Sequence, residues 1–184
     1  MKEHGLKLKG RRTLYAAASS PSDSVECLKL VLEDNKKFDK RDFFGETAFW
    51  QAAWRCNPKI MNYLKELGAN INVQNWFTGQ TGLMAFFDYS YFLETETDNM
   101  LYSLNMGMDL TLKDRKGKTL RDYILFAATR ADNEEQKERS NLVVAEIDRK
   151  LAGIGYSTEI TVNEAILTDN NEALSKLLMD PNEK

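Results

Sequence analysis

Apolar residues recur along this chain at helical spacing, in short blocks broken by glycine and polar turns. Residues 25–42 read VECLKLVLEDNKKFDKRD, residues 58–75 PKIMNYLKELGANINVQN and residues 97–114 TDNMLYSLNMGMDLTLKD. In each, apolar positions three and four apart predict an amphipathic helix. The helices stop at Asn35, Gly68 or Gly107, residues that accept a left-handed conformation after a helix end. A short stretch with alternate apolar residues follows, ending at Asp42, Asn75 or Asp114. A second set of blocks opens on glycine: GRRTLYAAA at 10–18, GETAFWQAA at 45–53, GQTGLMAFF at 79–87 and GKTLRDYIL at 117–125. The leading Gly10, Gly45, Gly79 and Gly117 return every 34–38 residues or so, a period of stacked supersecondary units. The two sets alternate in phase, so the expectation is an all-α chain of about four to five helix–turn–helix units with short hairpin or loop fingers between them.

The units fall at about 10–44, 45–78, 79–116 and 117–152, in a single domain of residues 1–184. One neighbour must cover the apolar face of the next. Ala17–Ala18 and Ala52–Ala53 let the first helices of successive units approach closely, whereas Phe86–Phe87 at the same place predicts a wider spacing or a bend. Leu28, Val31, Leu32, Ile60, Met61, Leu64, Leu101 and Leu104 are expected to supply the other half of the core. The third unit carries an extra YSYFLETETD between its helices, and ADNEEQKERS reads as a polar loop. Leu142, Val143, Ile147 and Leu151 then share one helical face. Residues 153–184 read as a connector and two short helices that cap the array.

These recurring half-motifs resemble the ankyrin repeat, whose pattern runs G-x-T-P-L-H-x-A-A, then an outer helix, then G-A-D-V-N-x-x-D. GETAFWQAA matches at Gly45, Thr47, Ala52 and Ala53, with Ala48, Phe49 and Trp50 in place of Pro, Leu and His; GANINVQN matches at Gly68, Ala69, Ile71 and Asn72; GMDLTLKD matches at Gly107, Asp109, Leu110 and Asp114. The resemblance covers roughly residues 10 to 130 and implies an ankyrin solenoid with a degenerate C-terminal cap. The turn-locking His of the family is absent from every copy, so aromatic and aliphatic packing is expected to do more of that work. Trp50 occupies that His position and is expected to be partly buried. Trp54, at the end of the same helix, borders what is the concave groove in the family.

The resemblance also implies a binding function, since ankyrin repeats bind proteins through finger tips and concave face. The tips here read DFFG, NWFTG and DRKG, where the family usually has small polar residues. Phe43, Phe44, Trp76 and Phe77 are costly to leave in water without a purpose. Two readings are open: the rings fold back on one another between adjacent fingers, or they form a row of aromatic anchors along one rim, which is the reading we carry forward. Trp54 and Arg55, Asp88, Tyr89 and Tyr91 would extend this surface into the groove, and Arg115 adds charge at the third tip, among Lys40, Arg41, Lys113, Lys116 and Lys118.

Composition narrows the alternatives. The net charge of −3 gives no bulk attraction to nucleic acid or an anionic membrane, and the basic MKEHGLKLKGRR reads as a solvated terminus. An apolar leader and a bilayer-spanning stretch are both missing, which sets the expectation of a cytoplasmic protein. Cys27 and Cys56 are expected as small helix-packing residues rather than a disulfide. The single histidine is His4, which leaves too little for a nucleophilic triad or a His-rich metal site. Glycine-rich phosphate-binding motifs are absent, and Asp88 with Glu94 has no supporting motif as an acid pair. The expectation is therefore a non-catalytic module, without metal, cofactor or small-molecule substrate, monomeric alone and binding another protein. Its sharper form is a stoichiometric inhibitor, of the immunity or antitoxin kind, for one cognate toxin or effector.

Overall fold

The computed structural model describes residues 10–21, 24–34, 37–89 and 94–156, with the backbone alone for Tyr89 and residues 94–96. These residues form eight helices: α1 (Arg11–Ala18), α2 (Val25–Asp34), α3 (Ala48–Trp54), α4 (Pro58–Glu66), α5 (Gly82–Tyr89), α6 (Glu94–Leu104), α7 (Leu120–Thr129) and α8 (Glu134–Gly153). The only extended pairing among the described residues is a single antiparallel bridge between Gln74 and Thr81. The described chain is thus all-α. Helices α1, α3, α5 and α7 touch in succession, as do α2, α4, α6 and α8, while α1 packs on α2, α3 on α4 and α7 on α8. The expected cap helices, and Asn35, lie outside the described residues. Among the described residues no helix is long and apolar enough to cross a membrane.

Local chemistry sets the helix ends. Thr47 Oγ1 accepts from the Trp50 N–H at 3.3 Å to start α3. Thr119 and Asp122 cap α7 reciprocally. Pro58 opens α4, where a missing N–H costs nothing. At the end of α4, Gly68 takes φ 88°. Its N–H reaches Lys65 O at 2.8 Å and the Ala69 N–H reaches Leu64 O at 3.0 Å, so two orphan carbonyls are satisfied. Gly107 likewise turns left-handed, at φ 81°. These are the stops that the sequence marks.

One apolar cluster runs through all the contacts, from Leu14 on α1 through Leu28, Phe49, Ile60, Phe87 and Ile124 to Ile147 on α8. Each such side chain contributes roughly 1.5–3 kcal/mol when removed from water. Leu28, Val31, Ile60, Met61, Leu64 and Leu104 are buried as expected, with Leu32 and Leu101 partly buried against them. Met100, not singled out from the sequence, is fully buried. Buried Asn57 ties the first two units together, donating to Ala18 O at 3.2 Å and Ser20 O at 2.9 Å.

Several expectations need correction. ADNEEQKERS is mostly helix: α8 begins at Glu134, and its Asn133 cap accepts from the Gln136 N–H at 2.9 Å. Pairs one turn apart, Lys137 with Glu134 and Arg139 with Glu135, let charged residues sit on a solvated helix face. Residues 94–98, assigned to the insertion, belong to α6, and α8 runs through Gly153, one residue past the expected unit boundary. On α8 the buried face is Val143, Val144, Ile147 and Leu151, while Leu142 points out at 55% exposure; Val144 lies closer than Leu142 to the stripe through 147 and 151. Neither cysteine is in a disulfide; Cys56 packs into the core as expected, from the α3–α4 turn, but Cys27 is exposed. Phe86 and Phe87 are buried edge-to-face at 5.1 Å, yet α5 still approaches α3 closely. The contact has moved one turn back to Gly82, where an added Cβ would lie 2.4 Å from Trp50 O and 2.6 Å from Ala53 Cβ.

Candidate functional site

The finger tips repeat one hydrogen-bonded turn. In the first, the Asp42 N–H reaches Glu46 O at 2.9 Å and Asp42 Oδ1 accepts from the N–H groups of Phe44 and Glu46, both at 2.9 Å. In the second, Asn75 plays the same part, bonding Gln80 O at 2.9 Å and accepting from Phe77 at 2.7 Å and Thr78 at 3.1 Å. In the third, Asp114 bonds Lys118 O at 2.9 Å and accepts from Lys116 and Lys118 at 2.8 Å each. An Asx side chain that satisfies its own turn explains why these positions are Asp or Asn. Gly45 closes the first turn at φ 82°, and it leaves room as well: a Cβ there would lie 2.5 Å from Trp76 Cγ.

Neighbouring tips are laced together through the backbone. The Trp76 N–H donates to Phe44 O at 2.8 Å and the Arg115 N–H to Thr78 O at 2.9 Å. The Arg115 guanidinium also donates to Trp76 O. Arg41 Nη1 donates to Gly45 O at 2.8 Å and Gln74 O at 3.1 Å, with its guanidinium 5.9 Å from the Trp76 ring centre.

On this frame Phe43, Phe44 and Phe77 form a cluster, with ring centres 5.5, 5.7 and 5.8 Å apart. The rings do meet between fingers, so they form a cluster rather than a row. Meeting does not hide them: Phe43 is 75% exposed, Phe44 51%, Trp76 52% and Phe77 58%. The fold-back reading holds in part, and the apolar surface stays open to water.

Behind the tips lies a groove of about 370 Å³, walled by Phe44, Trp50 and Trp54 and lined also by Glu46, Gln51, Asn75, Thr78, Gln80 and Ala85. Trp50 is buried, and its indole N–H donates to Gln80 O at 3.1 Å, a polar contact in addition to the packing. Trp54 is half-buried, stacked on Trp50 at 6.3 Å, and the exposed Arg55 lies 4.6 Å from its ring centre. Burial pushes the Glu46 carboxyl up, opposed by hydrogen bonds from Asn75 and Gln51 and reinforced by Asp42. Asp88 accepts from Gln80 Nε2 at 2.9 Å. Tyr89 ends α5, and Tyr91 lies outside the described residues.

Two parts of this face were missed in the sequence. Glu46 and Gln51 stand at the variable positions of the GETAFWQAA block and carry no signal of their own. Phe126 on α7 stands at the same offset from its tip glycine as Trp54 and Asp88, and is 44% exposed. Lys118 and Arg130 lie 5.3 and 4.6 Å from its ring centre. That shared offset was the available signal. Among the described residues no group of acidic, Cys or His side chains could hold a metal ion.

A buried polar chain supports the groove. Gln80 Nε2 also donates to the Tyr123 hydroxyl at 2.8 Å, and that hydroxyl donates to Asp114 Oδ2 at 2.8 Å. Burial works against the Asp114 charge, but the bonds from Tyr123 and the Lys118 and Lys116 N–H groups prevail and hold its carboxyl below the ordinary range. Tyr123 is pushed up to about 12, by burial first and by Asp114 next. Tyr15, donating to Glu46 O at 2.7 Å, is also pushed up to about 12, by burial and then by Asp42. In the unfolded chain both phenols ionise near ~10. Their contribution to stability is therefore complete below about 10 and is lost as pH rises towards 12. The melting temperature is expected to fall over that window, and Tyr123→Phe should make the fall shallower. An unchanged slope in that variant would count against the Tyr123–Asp114 bond.

No protein-family model matches the chain, and no curated protein sequence matches it either.

Proposed function

We propose that this chain is a small, divergent ankyrin-like stack that binds a partner protein through its finger tips and the groove behind them, without chemistry of its own, in the cytoplasm. The observation that carries this reading is the tip cluster: four large rings, each more than half exposed, held on fingers hydrogen-bonded to one another. A rigid presentation lowers the ordering cost of association. Aromatic residues and arginine dominate binding hot spots; Arg41 and Arg115 flank Trp76 among these rings, and Arg55 lies against Trp54 in the groove. The repeated Asx turns at Asp42, Asn75 and Asp114, and the two files of successive helices, support the stack. Cys27 and Cys56, neither of them in a disulfide, accord with a reducing compartment.

The test uses the partner purified with the full chain from its native cell, with calorimetric binding to the wild type and to Phe44→Ala/Trp76→Ala. Affinity is expected to fall by about 100-fold or more, as for the loss of two hot-spot rings. A double variant that melts as a folded protein and binds as tightly as the wild type would remove the rim from consideration.

A further inference from the structure

Glu46 is chemically out of place in the groove wall. It is a half-buried carboxylate beside Phe44, Trp50 and Trp54. Its Oε1 accepts from Asn75 Nδ2 at 2.6 Å and its Oε2 from Gln51 Nε2 at 2.7 Å, both neutral amides. Among the described residues no cation pairs with it. The arginines nearest in sequence are directed elsewhere: Arg41 to Gly45 O and Gln74 O, Arg55 to the Trp54 ring. Each Glu46 oxygen keeps a lone pair beyond its one amide bond. A carboxylate withdrawn from water without a counter-charge is costly, and the cost falls when a cation arrives.

The surroundings select the cation. Guanidinium is planar, only weakly hydrated and able to lie on aromatic rings, and it meets a carboxylate with two parallel donors. The exposed Arg55 would repel it, but that charge is screened by solvent, whereas the Glu46 charge is partly shielded from screening. We propose that the groove receives an arginine side chain of the partner protein, its guanidinium on Glu46 and its stem against the wall of Phe44, Trp50 and Trp54. This rests on the reading of the rim as a partner-binding surface, and it adds the chemistry that the partner must bring: an arginine set beside an apolar patch that covers Phe43 and Phe77.

The full chain is titrated with N-acetyl-arginine amide, and separately with its uncharged isostere N-acetyl-citrulline amide, following the indole N–H resonances of Trp50 and Trp54. The arginine probe is expected to shift the Trp54 resonance saturably, and the citrulline probe to bind roughly tenfold more weakly. Glu46→Gln should remove that preference. Because this variant also loses an acceptor for Asn75 or Gln51, Trp54→Leu, followed at Trp50, serves as a second variant that weakens arginine binding while leaving the carboxylate. Equal responses to the two probes, no response to arginine, or an unchanged preference in a folded Glu46→Gln protein would each overturn the assignment. If the partner still depends on Phe44 and Trp76 while the groove ignores arginine, this inference falls and the binding reading stands. If the partner ignores Phe44 and Trp76 as well, both fall.

Discussion

Replacing Phe87 by alanine is expected to lower the unfolding free energy by about 3–5 kcal/mol. Phe87 is fully buried on α5, edge-to-face with Phe86 at 5.1 Å. Helix α5 is packed between α3 and α7, so a cavity there opens in the middle of the apolar cluster and not at its margin. The backbone offers little room for collapse. Gly82 already holds α5 against α3, and Arg130 Nη2 of the loop after α7 donates to Phe87 O at 3.0 Å. The ring lost is therefore not refilled, and the transfer and cavity costs add. A chemical-denaturation midpoint measures the change; a loss below about 1 kcal/mol would mean that the site relaxes freely, contrary to this packing.

The second large effect changes sign with the choice of variant. Arg121 is buried on α7 at the position where Leu14, Phe49 and Leu83 stand in the other units, all buried and apolar. A guanidinium there is tolerable because Asp148 of α8 meets it twice, at 2.6 Å from Nε and 3.1 Å from Nη2. Asp148→Ala leaves a buried cation without this carboxylate and is expected to cost about 3 kcal/mol. That is the low end for a broken buried pair, because the Asp148 side chain is 34% exposed and water reaches the site. The double variant Arg121→Leu/Asp148→Leu removes both charges and should be close to neutral or more stable than the wild type. Denaturation of the two variants side by side decides the matter. A double variant as unstable as the single one would show that the pair is not the reason for the loss.

Much of this architecture is written in residues whose type is forced. Gly45, Gly79 and Gly117 turn with positive φ at every tip, and Gly68 and Gly107 do so after helices, because side chains are penalised there. Asp42, Asn75 and Asp114 recur because each turn needs an acceptor at that place. Such positions make a period readable. What stayed hidden depends on contacts seen only in three dimensions. The charge-rich start of α8 looks like a loop until its Asn133 cap and one-turn ion pairs are seen. The burial of Arg121 is understood only once Asp148 is placed opposite it. At the site, the exposed tip rings could be named from type alone, since large aromatics in short turns are out of place. Whether they cluster or stand in a row could not be decided there, because it depends on how the second finger lies over Gly45. Glu46 was hidden because its two amide partners, Gln51 on α3 and Asn75 at the second tip, and its lack of a cation are visible only in three dimensions.

Hydroxyl-radical footprinting of the full chain, free and saturated with its purified partner, tests the central claim most directly. Oxidation of Phe43, Phe44, Trp54, Trp76 and Phe77 should fall together on binding. Protection confined to the other face, at exposed residues such as Tyr102 on α6 and Leu142 on α8, with the tip rings oxidised as fast as before, would contradict it.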